Sequence, residues 1–467
     1  MIPALPISRR GFLRGLGATT AATMLPRLAQ AGNNTFEPDF LWGVATSAPE
    51  SESRANRGRS NWDVFIDNIG GSKDGTTNVR NTEFDTRYLD EFKLLQAAGV
   101  KAFRFSFAWP RIQPETPGAP NVRGLDHYDR MIDAMLEHGL EPVPTLFHWD
   151  IPLWAGDFLD RDISRRMADY AEIMARMVGD RANTWLVFNE PGVIPIFGYG
   201  QGLFAPGYRS RRYMGVALHH VNLAHGRALT AIRANAASGT RVSSAFNIMP
   251  FEAPSGNDED LQAARFVDVL WNDAVPGPAY GRDYPSLALP LVESYIQDGD
   301  MQAIAVQPDF FGLNFYSRSF VKADPDSPLG IALVEPPAEL ERTDELPYDP
   351  DTYTKVLLKA HKDYNAPDII ATEFGFPVAE EAPKDGWVND PLRIKYMRGY
   401  IQAAQAAYQQ GVKLKGMFYW SSTDNWEWVL GLSKHFGLIH IEQPSLKRIP
   451  KRSLEYYANC IRLNAPA

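Results

Sequence analysis

Short strand-like runs alternate with helix-length segments along most of the chain, and this alternation restricts the fold more than any other feature. Eight runs have the length and apolar character of buried strands, at residues 40–46, 102–107, 142–147, 184–189, 241–247, 310–316, 369–373 and 416–421. Apolar residues recur at helical spacing in residues 85–98, 125–138, 163–178, 212–237, 352–364 and 392–410. Repeated strand–helix–strand units predict a parallel sheet, and eight units close a barrel. We therefore predict an α/β fold, a single (β/α)8 TIM barrel with extended loops after its strands.

The chain length agrees with one large domain. At roughly 150 residues per domain, 467 residues allow about three domains, but barrels often run longer as one unit. Residues 323–350 are rich in proline and acidic side chains, and we predict a long surface loop there because the strand–helix pattern resumes afterwards. We predict one barrel domain over residues 32–467.

The N-terminal segment has the pattern of an export signal. Residues 8–14 read SRRGFLR, a twin-arginine pattern, and an apolar stretch follows at residues 16–25. Ala29, Gln30 and Ala31 form a small-residue cleavage site. The alternative is a disordered basic tail. We predict a twin-arginine export signal over residues 1–31, with the twin-arginine translocase as partner and a periplasmic or extracellular destination. Elsewhere no apolar run reaches the ~20 residues that a membrane span requires.

Composition excludes several classes of function. The formal charge is −9, from 47 basic and 56 acidic residues without a long run of either sign, so we expect no nucleic-acid partner. Cys460 is the single cysteine, which precludes an intramolecular disulfide and a thiolate cluster for zinc or iron–sulfur. No glycine-rich dinucleotide motif follows a strand. We expect no metal ion and no cofactor.

Polar and aromatic residues collect where the predicted strands end. In a barrel of this type, the carboxyl-terminal ends of the strands carry the chemistry. The residues at or next to these ends include Arg104, His148, Trp149, Asn189, Glu190, Asn247, Asn314, Tyr316, Glu373 and Trp420. We therefore expect a functional site at this rim.

Two acidic residues at the rim can serve as a catalytic pair. Glu190 and Glu373 end the fourth and seventh predicted strands, so both can face one cavity. Paired carboxyl groups in a concave site are what glycosidic bond cleavage requires. Other interpretations remain open at this level. Asn-Glu-Pro is also typical of a helix start, with asparagine as the cap and proline in the first turn, and Glu373 could form a strand-end salt bridge.

Several longer motifs resemble one enzyme family. They are FLWGVATSA at residues 40–48, RFSFAWPRI at 104–112, HWDIP at 148–152, FNEP at 188–191, WSSTDNWEW at 420–428 and FGL at 436–438. Together they resemble glycoside hydrolase family 1, the β-glucosidase family. They occur in the order found in the family and cover nearly the whole chain after residue 31.

The resemblance implies a retaining β-glycosidase that acts on small oligosaccharides or on aryl and alkyl β-glycosides from the non-reducing end. Glu190 matches the general acid/base of the family and Glu373 the nucleophile. Arg104 and Tyr316 match residues that contact the nucleophile, and Asn189 matches the residue that holds the 2-hydroxyl of the sugar. In a retaining mechanism the two carboxyl groups lie ~5–5.5 Å apart.

The resemblance also implies a sugar-binding set. Pyranose rings have a C–H-rich face that stacks on indole and a rim of hydroxyls that needs donors and acceptors. The expected substrate-binding residues are Glu50, His148, Trp149, Asn314, Trp420, Glu427 and Trp428, with Trp420 as the platform under the ring.

The chain departs from the family at three points. Glu50 occupies a position where the family has glutamine, and a further carboxylate beside Glu427 would raise nearby pKa values or favour a substrate able to donate a hydrogen bond. Phe374 replaces an asparagine, from which we expect a more apolar floor beside Glu373. Residues 344–350 lack a tryptophan that the family often has at the mouth, so we expect an altered aglycone side.

Three other functions remain open from the sequence. A transglycosidase would use the same residues with an alcohol as acceptor. A non-catalytic sugar-binding barrel would keep the fold, although the presence of both Glu190 and Glu373 argues against it. An unrelated barrel cellulase could share Asn-Glu-Pro but conflicts with the motifs at residues 40–48 and 426–428. The sequence does not specify the sugar or the oligomeric state.

Overall fold

Eight parallel strands form a closed barrel in the computed structural model, which describes residues 35–343, 346–365 and 368–467. Every strand pairs with the next along the chain, and the last closes against the first, where Leu41 lies opposite Gly416. The predicted (β/α)8 barrel is confirmed, with all eight strands where the sequence predicts them. Their bounds are β1 Leu41–Ala45, β2 Ala102–Ser106, β3 Glu141–Phe147, β4 Thr184–Asn189, β5 Arg241–Asn247, β6 Phe311–Asn314, β7 Ile369–Phe374 and β8 Leu414–Trp420.

Helices follow the strands and surround the barrel. The six predicted helices occur with bounds within three residues of the prediction. The longer helices are Asn61–Ile69, Phe84–Ala98, Val122–Glu137, Ile163–Val178, Arg211–Asn235, Asp258–Asn272, Pro350–Asp363, Pro391–Gln409 and Arg452–Leu463. Shorter helical segments are Ala48–Ser51, Trp109–Ile112, Leu153–Ala155, Ile194–Gly200, Pro276–Ala279, Leu289–Val292, Glu293–Tyr295, Asp300–Ile304 and Trp428–Ser433.

Helix Ile163–Val178 illustrates why these segments fold onto the barrel. Its buried residues fall at positions 163, 164, 167, 170, 171, 174, 175 and 178, a single face at three- and four-residue spacing. The opposite face is charged. Burial of this apolar stripe against the barrel and the neighbouring helix Arg211–Asn235 stabilises the helix more than its intrinsic propensity does.

The predicted loop at residues 323–350 contains regular structure. Ser319–Ala323 and Ile331–Leu333 pair as an antiparallel hairpin, and Phe251–Glu252 extends it to three strands. A strand of three residues is too short for a period-two pattern, which is why the sequence did not indicate it. Ile439–Glu442 and Lys447–Pro450 form a second small hairpin.

The apolar core has two parts. The larger part lies between the barrel strands and the surrounding helices. The smaller part consists mostly of side chains from the barrel strands, and it fills the barrel interior, as expected for a packed barrel. Its strand members include Ala45, Ala102, Val143, Leu186, Ala245, Ile370 and Phe418. The polar residues of the rim lie beyond this apolar layer.

The predicted export signal at residues 1–31 lies outside the described residues. Among the described residues, no helix combines the length and the apolar character needed to cross a bilayer.

Close strand contacts inside the barrel generate a stability prediction. A Cβ atom at Gly312 of β6 would lie 2.4 Å from the carbonyl oxygen of Ser244 on β5, and a backbone atom there cannot move aside easily. We expect Gly312→Ala to lower the free energy of unfolding by ~1–3 kcal/mol, because the strands must separate. Gly277→Ala, where the structure leaves open space, is the matched control. Equal melting temperatures for the two variants would contradict this account.

Candidate active site

A cavity of about 480 Å³ opens at the carboxyl-terminal ends of the barrel strands. Ten of the twelve predicted site residues line it, namely Glu50, His148, Trp149, Asn189, Glu190, Tyr316, Glu373, Trp420, Glu427 and Trp428. The other two, Arg104 and Asn314, are fully buried behind these residues and contact them directly. The structure therefore brings residues from most of the barrel strands into one site.

Glu373 lies near the end of β7 and is held at both carboxyl oxygens. The Arg104 guanidinium donates to Oε1, and the Tyr316 hydroxyl donates to Oε2 at 2.6 Å. The Arg104 and Glu373 side chains are almost completely buried. These two contacts together fix the orientation of the Glu373 carboxyl group.

Glu190 directly follows β4 and has a different environment. Its Oε1 accepts hydrogen bonds from the side-chain amides of Asn247 at 2.8 Å and Asn314 at 2.9 Å. Burial, followed by the nearby charge of Glu373, raises the pKa of Glu190 to about 7. The two carboxyl groups therefore lie in different environments, Glu373 beside a buried cation and Glu190 beside neutral amides.

Asn189 connects the two halves of the site. Its Oδ1 accepts from Arg104 Nη2 at 2.7 Å and from Asn314 Nδ2 at 3.0 Å, while its Nδ2 lies 2.8 Å from His148 Nε2. Burial and the charge of Arg104 hold the pKa of His148 well below its usual range, so the imidazole is neutral. His148 Nδ1 has no hydrogen-bond partner among the described residues. Asn314 supports Glu190 and Asn189 from behind the cavity wall.

Aromatic rings form much of the wall. The Trp149 and Trp428 ring centroids lie 4.7 Å apart, and the His148 ring lies 5.9 Å from that of Trp420. Trp149, Glu190 and Trp428 have positive φ angles of 77°, 44° and 49°. A residue other than glycine pays about 1 kcal/mol or more for this conformation, and such strain clusters at functional sites.

Glu50 and Glu427 add two further carboxyl groups. Burial and then the charge of Glu373 raise the pKa of Glu427 to about 8, and its Oε2 lacks a partner among the described residues. Burial and then Glu427 raise the pKa of Glu50 well above its usual value, although Ser47 donates to it. His148 Nε2 lies 3.6 Å from Glu50 Oε2. A protonated carboxyl group at position 50 can both donate and accept, as glutamine can.

Several residues that contact or line the site are not indicated by the sequence pattern. Asn247 was recognised only as a strand end, yet it contacts Glu190. The mouth is lined by apolar side chains outside the predicted set, among them Phe197, Leu203, Phe204, Met249, Trp271 and Leu333. Trp271 lies on helix Asp258–Asn272, whose only clear sequence signal is Asn257, a helix cap whose side chain accepts from the backbone N–H of Asp260.

The expectation for Phe374 is corrected by the structure. Side chains alternate along a strand, so Glu373 faces the cavity and Phe374 faces the opposite side. Phe374 is fully buried against Tyr419 and is not among the described residues that line the cavity. It therefore belongs to the core and does not form the floor beside Glu373.

Comparison with known proteins agrees with this geometry. The family model for glycosyl hydrolase family 1 matches residues 32–466, and a model of the twin-arginine translocation signal matches residues 6–26. The predicted export signal is thus supported at the level of its sequence. The transglycosidase and sugar-binding alternatives gain no support.

Similar proteins include several glycosidases. β-Glucosidase A of Thermotoga maritima is 36% identical over 441 residues, covering 92% of this chain and 98% of its own. The bifunctional β-D-glucosidase/β-D-fucosidase of Bifidobacterium breve is 33% identical, covering 91% and 98%. The structure of the T. maritima β-glucosidase in complex with glucoimidazole superimposes with a TM-score of 0.86 at 36% identity, covering 93% of this chain and 100% of that one. The chain belongs to glycoside hydrolase family 1 and is a glycoside hydrolase.

Proposed function

We propose that this enzyme hydrolyses β-glucosides and related β-glycosides from the non-reducing end with retention of anomeric configuration. One observation carries the proposal: the carboxyl groups of Glu373 and Glu190 line the same cavity in different environments. Glu373 lies beside a buried cation, whereas Glu190 lies beside neutral amides and has a raised pKa of about 7. The names of the relatives, β-glucosidase and β-glucosidase/β-fucosidase, support the choice of sugar.

In the first proposed step, the Glu373 carboxylate attacks the anomeric carbon while the bond to the leaving oxygen breaks. Glu190 donates its proton to that oxygen, and the aglycone leaves as an alcohol. The product is a glycosyl ester of Glu373. Arg104 and Tyr316 orient Glu373 before the attack.

In the second step, water displaces the glycosyl group. The ester at Glu373 carries no charge, so the pKa of Glu190 falls and the ionised Glu190 accepts the proton of the attacking water. The C–O bond of the ester breaks, Glu373 leaves as a carboxylate, and the sugar is released as the β-anomer. Asn247 and Asn314 hold Glu190 in position through both steps.

The sugar is held by the polar residues and indoles of the inner cavity. Asn189 is fixed by Arg104 and Asn314 and serves the 2-hydroxyl, where hydrogen bonds strengthen in the transition state. We assign further hydroxyl contacts to Glu50, His148, Glu427 and Trp428 and the ring platform to Trp420, with Trp149 packed against Trp428 as part of the wall.

The apolar mouth favours an apolar aglycone. Phe197, Phe204, Met249 and Trp271 surround the entrance, together with Leu333 of the outer hairpin. Burial of an aryl or alkyl group against these side chains is favourable by ~25 cal/mol per Å². We infer that aryl and alkyl β-glycosides bind more tightly than disaccharides of the same sugar.

The twin-arginine signal supports export, and we propose that the folded enzyme functions in the periplasm or outside the cell. Cleavage after Ala31 would release a barrel domain over residues 32–467. The absence of a second cysteine is compatible with folding in a reducing compartment before transport.

Azide should reactivate a variant that lacks either carboxyl group, and the anomer of the glycosyl azide product should differ between the two variants. We expect Glu190→Ala to lose ~10²–10⁴-fold in kcat/KM on substrates with a poor leaving group and Glu373→Ala to lose ~10⁴-fold or more in kcat on all substrates. With dinitrophenyl β-glucoside, azide should restore Glu190→Ala by attack on the glycosyl ester, giving the β-glycosyl azide. It should restore Glu373→Ala by direct attack, giving the α-glycosyl azide.

The control for this pair is Glu252→Ala, a rim carboxylate with a half-exposed side chain, which should keep full activity. The same anomer of glycosyl azide from both variants, or activity retained in either, contradicts the assignment.

Glu50→Gln tests the function of the additional carboxyl group. The pKa of Glu50 is raised well above its usual value, so at acidic pH the protonated group provides the same donor and acceptor as glutamine, and the ranking of gluco-, galacto-, fuco- and xylosides should stay the same. At alkaline pH, ionised Glu50 loses its donor, and we expect KM for the glucoside to rise roughly fivefold in the wild type relative to the variant. Parallel pH profiles for the two proteins would refute this role.

The raised pKa of Glu427 predicts that the stability of the enzyme depends on pH. In the folded protein Glu427 keeps its proton up to about pH 8, whereas in the unfolded chain it releases the proton near pH 4.5. The stability that the protonated group contributes is therefore lost as the pH rises between these values. Glu427→Gln cannot ionise and should therefore raise Tm more at pH 8 than at pH 5. Glu455→Gln, at an exposed position, is the control. A shift of equal size at both pH values would count against the raised pKa.

Export depends on the two consecutive arginines in the proposed signal. We expect the double change Arg9→Lys and Arg10→Lys to leave the active precursor in the cytoplasm, because the twin-arginine pathway reads this pair. Fractionation with an activity assay measures the outcome. Unchanged export of the double variant would mean that another route carries the protein.

A further inference from the structure

A second cluster of ligand-type side chains lies beside the active site. Glu380 is in the loop after β7, seven residues beyond Glu373, and Asp424 is in the loop after β8, three residues before Glu427. His435 precedes Phe436, which lines the cavity, and His440 lies in strand Ile439–Glu442. The four side chains converge from two loops and a hairpin, and the proposed reaction uses none of them.

Four of the separations within the cluster match those of a coordination shell. His435 Nδ1 lies 3.2 Å from Asp424 Oδ2 and 3.7 Å from Glu380 Oε2. His440 Nδ1 lies 3.1 Å and 3.6 Å from the same two oxygens. All four atoms are within 4.8 Å of one another. A tetrahedral ion with bonds of ~2.0–2.2 Å separates its ligand atoms by roughly 3.3–3.6 Å, which is close to these four separations.

One buried oxygen in the cluster lacks a hydrogen bond. The Glu380 side chain is 3% exposed, and its Oε2 has no partner among the described residues although it faces both imidazoles. Two imidazole N–H groups can donate to Asp424 Oδ2 at 3.1 and 3.2 Å, but Glu380 Oε2 at 3.6 Å is beyond their reach. Hydrogen bonding within the cluster therefore leaves an acceptor unsatisfied, whereas a central cation would satisfy all four atoms.

The remaining oxygens of the two carboxylates are held from outside. Lys451 donates to Glu380 Oε1 and, at 2.6 Å, to Asp424 Oδ1, and Arg393 also donates to Glu380 Oε1. The Gly437 backbone N–H donates to Asp424 Oδ1 at 3.0 Å. Contacts of this kind orient ligand side chains in metal sites and leave one oxygen of each carboxylate facing the centre.

We propose that Glu380, Asp424, His435 and His440 form a structural site for a divalent transition-metal ion of the zinc class. Two imidazole nitrogens favour such an ion over Mg²⁺ or Ca²⁺, which prefer oxygen ligands. Four protein ligands complete a tetrahedral shell, so the ion activates no water and takes no part in glycoside cleavage. This site departs from the expectation of a metal-free protein.

The position of the site gives it a structural purpose. The ion would link the loop after β7 to the loop after β8 and to the hairpin that follows. These segments continue into Glu373, Glu427 and Phe436. Loss of the ion should therefore loosen the sugar-binding side of the cavity without removing a catalytic group.

Metal content and thermal stability test the proposal with the mature enzyme. We expect protein purified in the presence of Zn²⁺ and then dialysed to hold one zinc per chain by elemental analysis. Added Zn²⁺ should raise the Tm of the EDTA-treated enzyme, because an ion that binds only the folded state stabilises it. Co²⁺ in place of Zn²⁺ should give the strong visible absorption of tetrahedral coordination.

The matched variants are the pair His435→Gln with His440→Gln and, as control, His361→Gln on helix Pro350–Asp363. The paired variant should hold no zinc, show no Co²⁺ absorption and show no Tm response to Zn²⁺, while the control keeps all three. Wild-type enzyme without bound zinc, or a zinc response that the paired variant retains, overturns the proposal. If the four side chains only gain and lose protons and bind no metal, the wild-type enzyme will hold no zinc.

Discussion

The buried ion pair between Arg104 and Glu373 is the interaction on which the rest of the site depends. Both side chains are removed from water, so neither charge is tolerated without the other, and breaking such a pair costs ~3–5 kcal/mol. The same Arg104 also holds Asn189, which continues the contacts to His148 and Asn314. One cation thus positions the proposed nucleophile and the residue proposed to hold the sugar beside it.

The charge at Glu373 affects every other carboxyl group in the cavity. It contributes to the raised pKa values of Glu190, Glu427 and Glu50, after burial in each case. In the proposed mechanism, esterification of Glu373 removes this charge, so the proton affinity of Glu190 changes between the two steps without movement of the backbone. The enclosed, carboxyl-rich cavity is unfavourable for stability, and the surrounding packed barrel compensates for it.

The fold was predictable because every barrel strand is a short apolar run followed by an amphipathic helix. The ends of the strands also identified most of the cavity, since the parallel topology brings residues as distant as Glu190 and Glu373 to one rim.

Side-chain direction was harder to predict. Phe374 follows Glu373 but faces the core, and Asn314 lies behind the cavity wall. The mouth was missed because its residues come from separate helices and loops and from Leu333 of a three-residue strand, so no single sequence pattern connects them. The cluster around Glu380 was missed because its members are spread over loops without a spacing motif.

Capture of the covalent intermediate would show directly whether Glu373 is the nucleophile. A dinitrophenyl 2-deoxy-2-fluoro-β-glucoside forms the ester quickly through its good leaving group, and the fluorine slows its hydrolysis by destabilising the positive charge at the anomeric carbon. Mass spectrometry of the intact enzyme and then of its peptides locates the sugar. We expect one fluoroglucosyl group per chain, attached to Glu373. A label on Glu190, or turnover to the α-anomer of the sugar without any label, would contradict it.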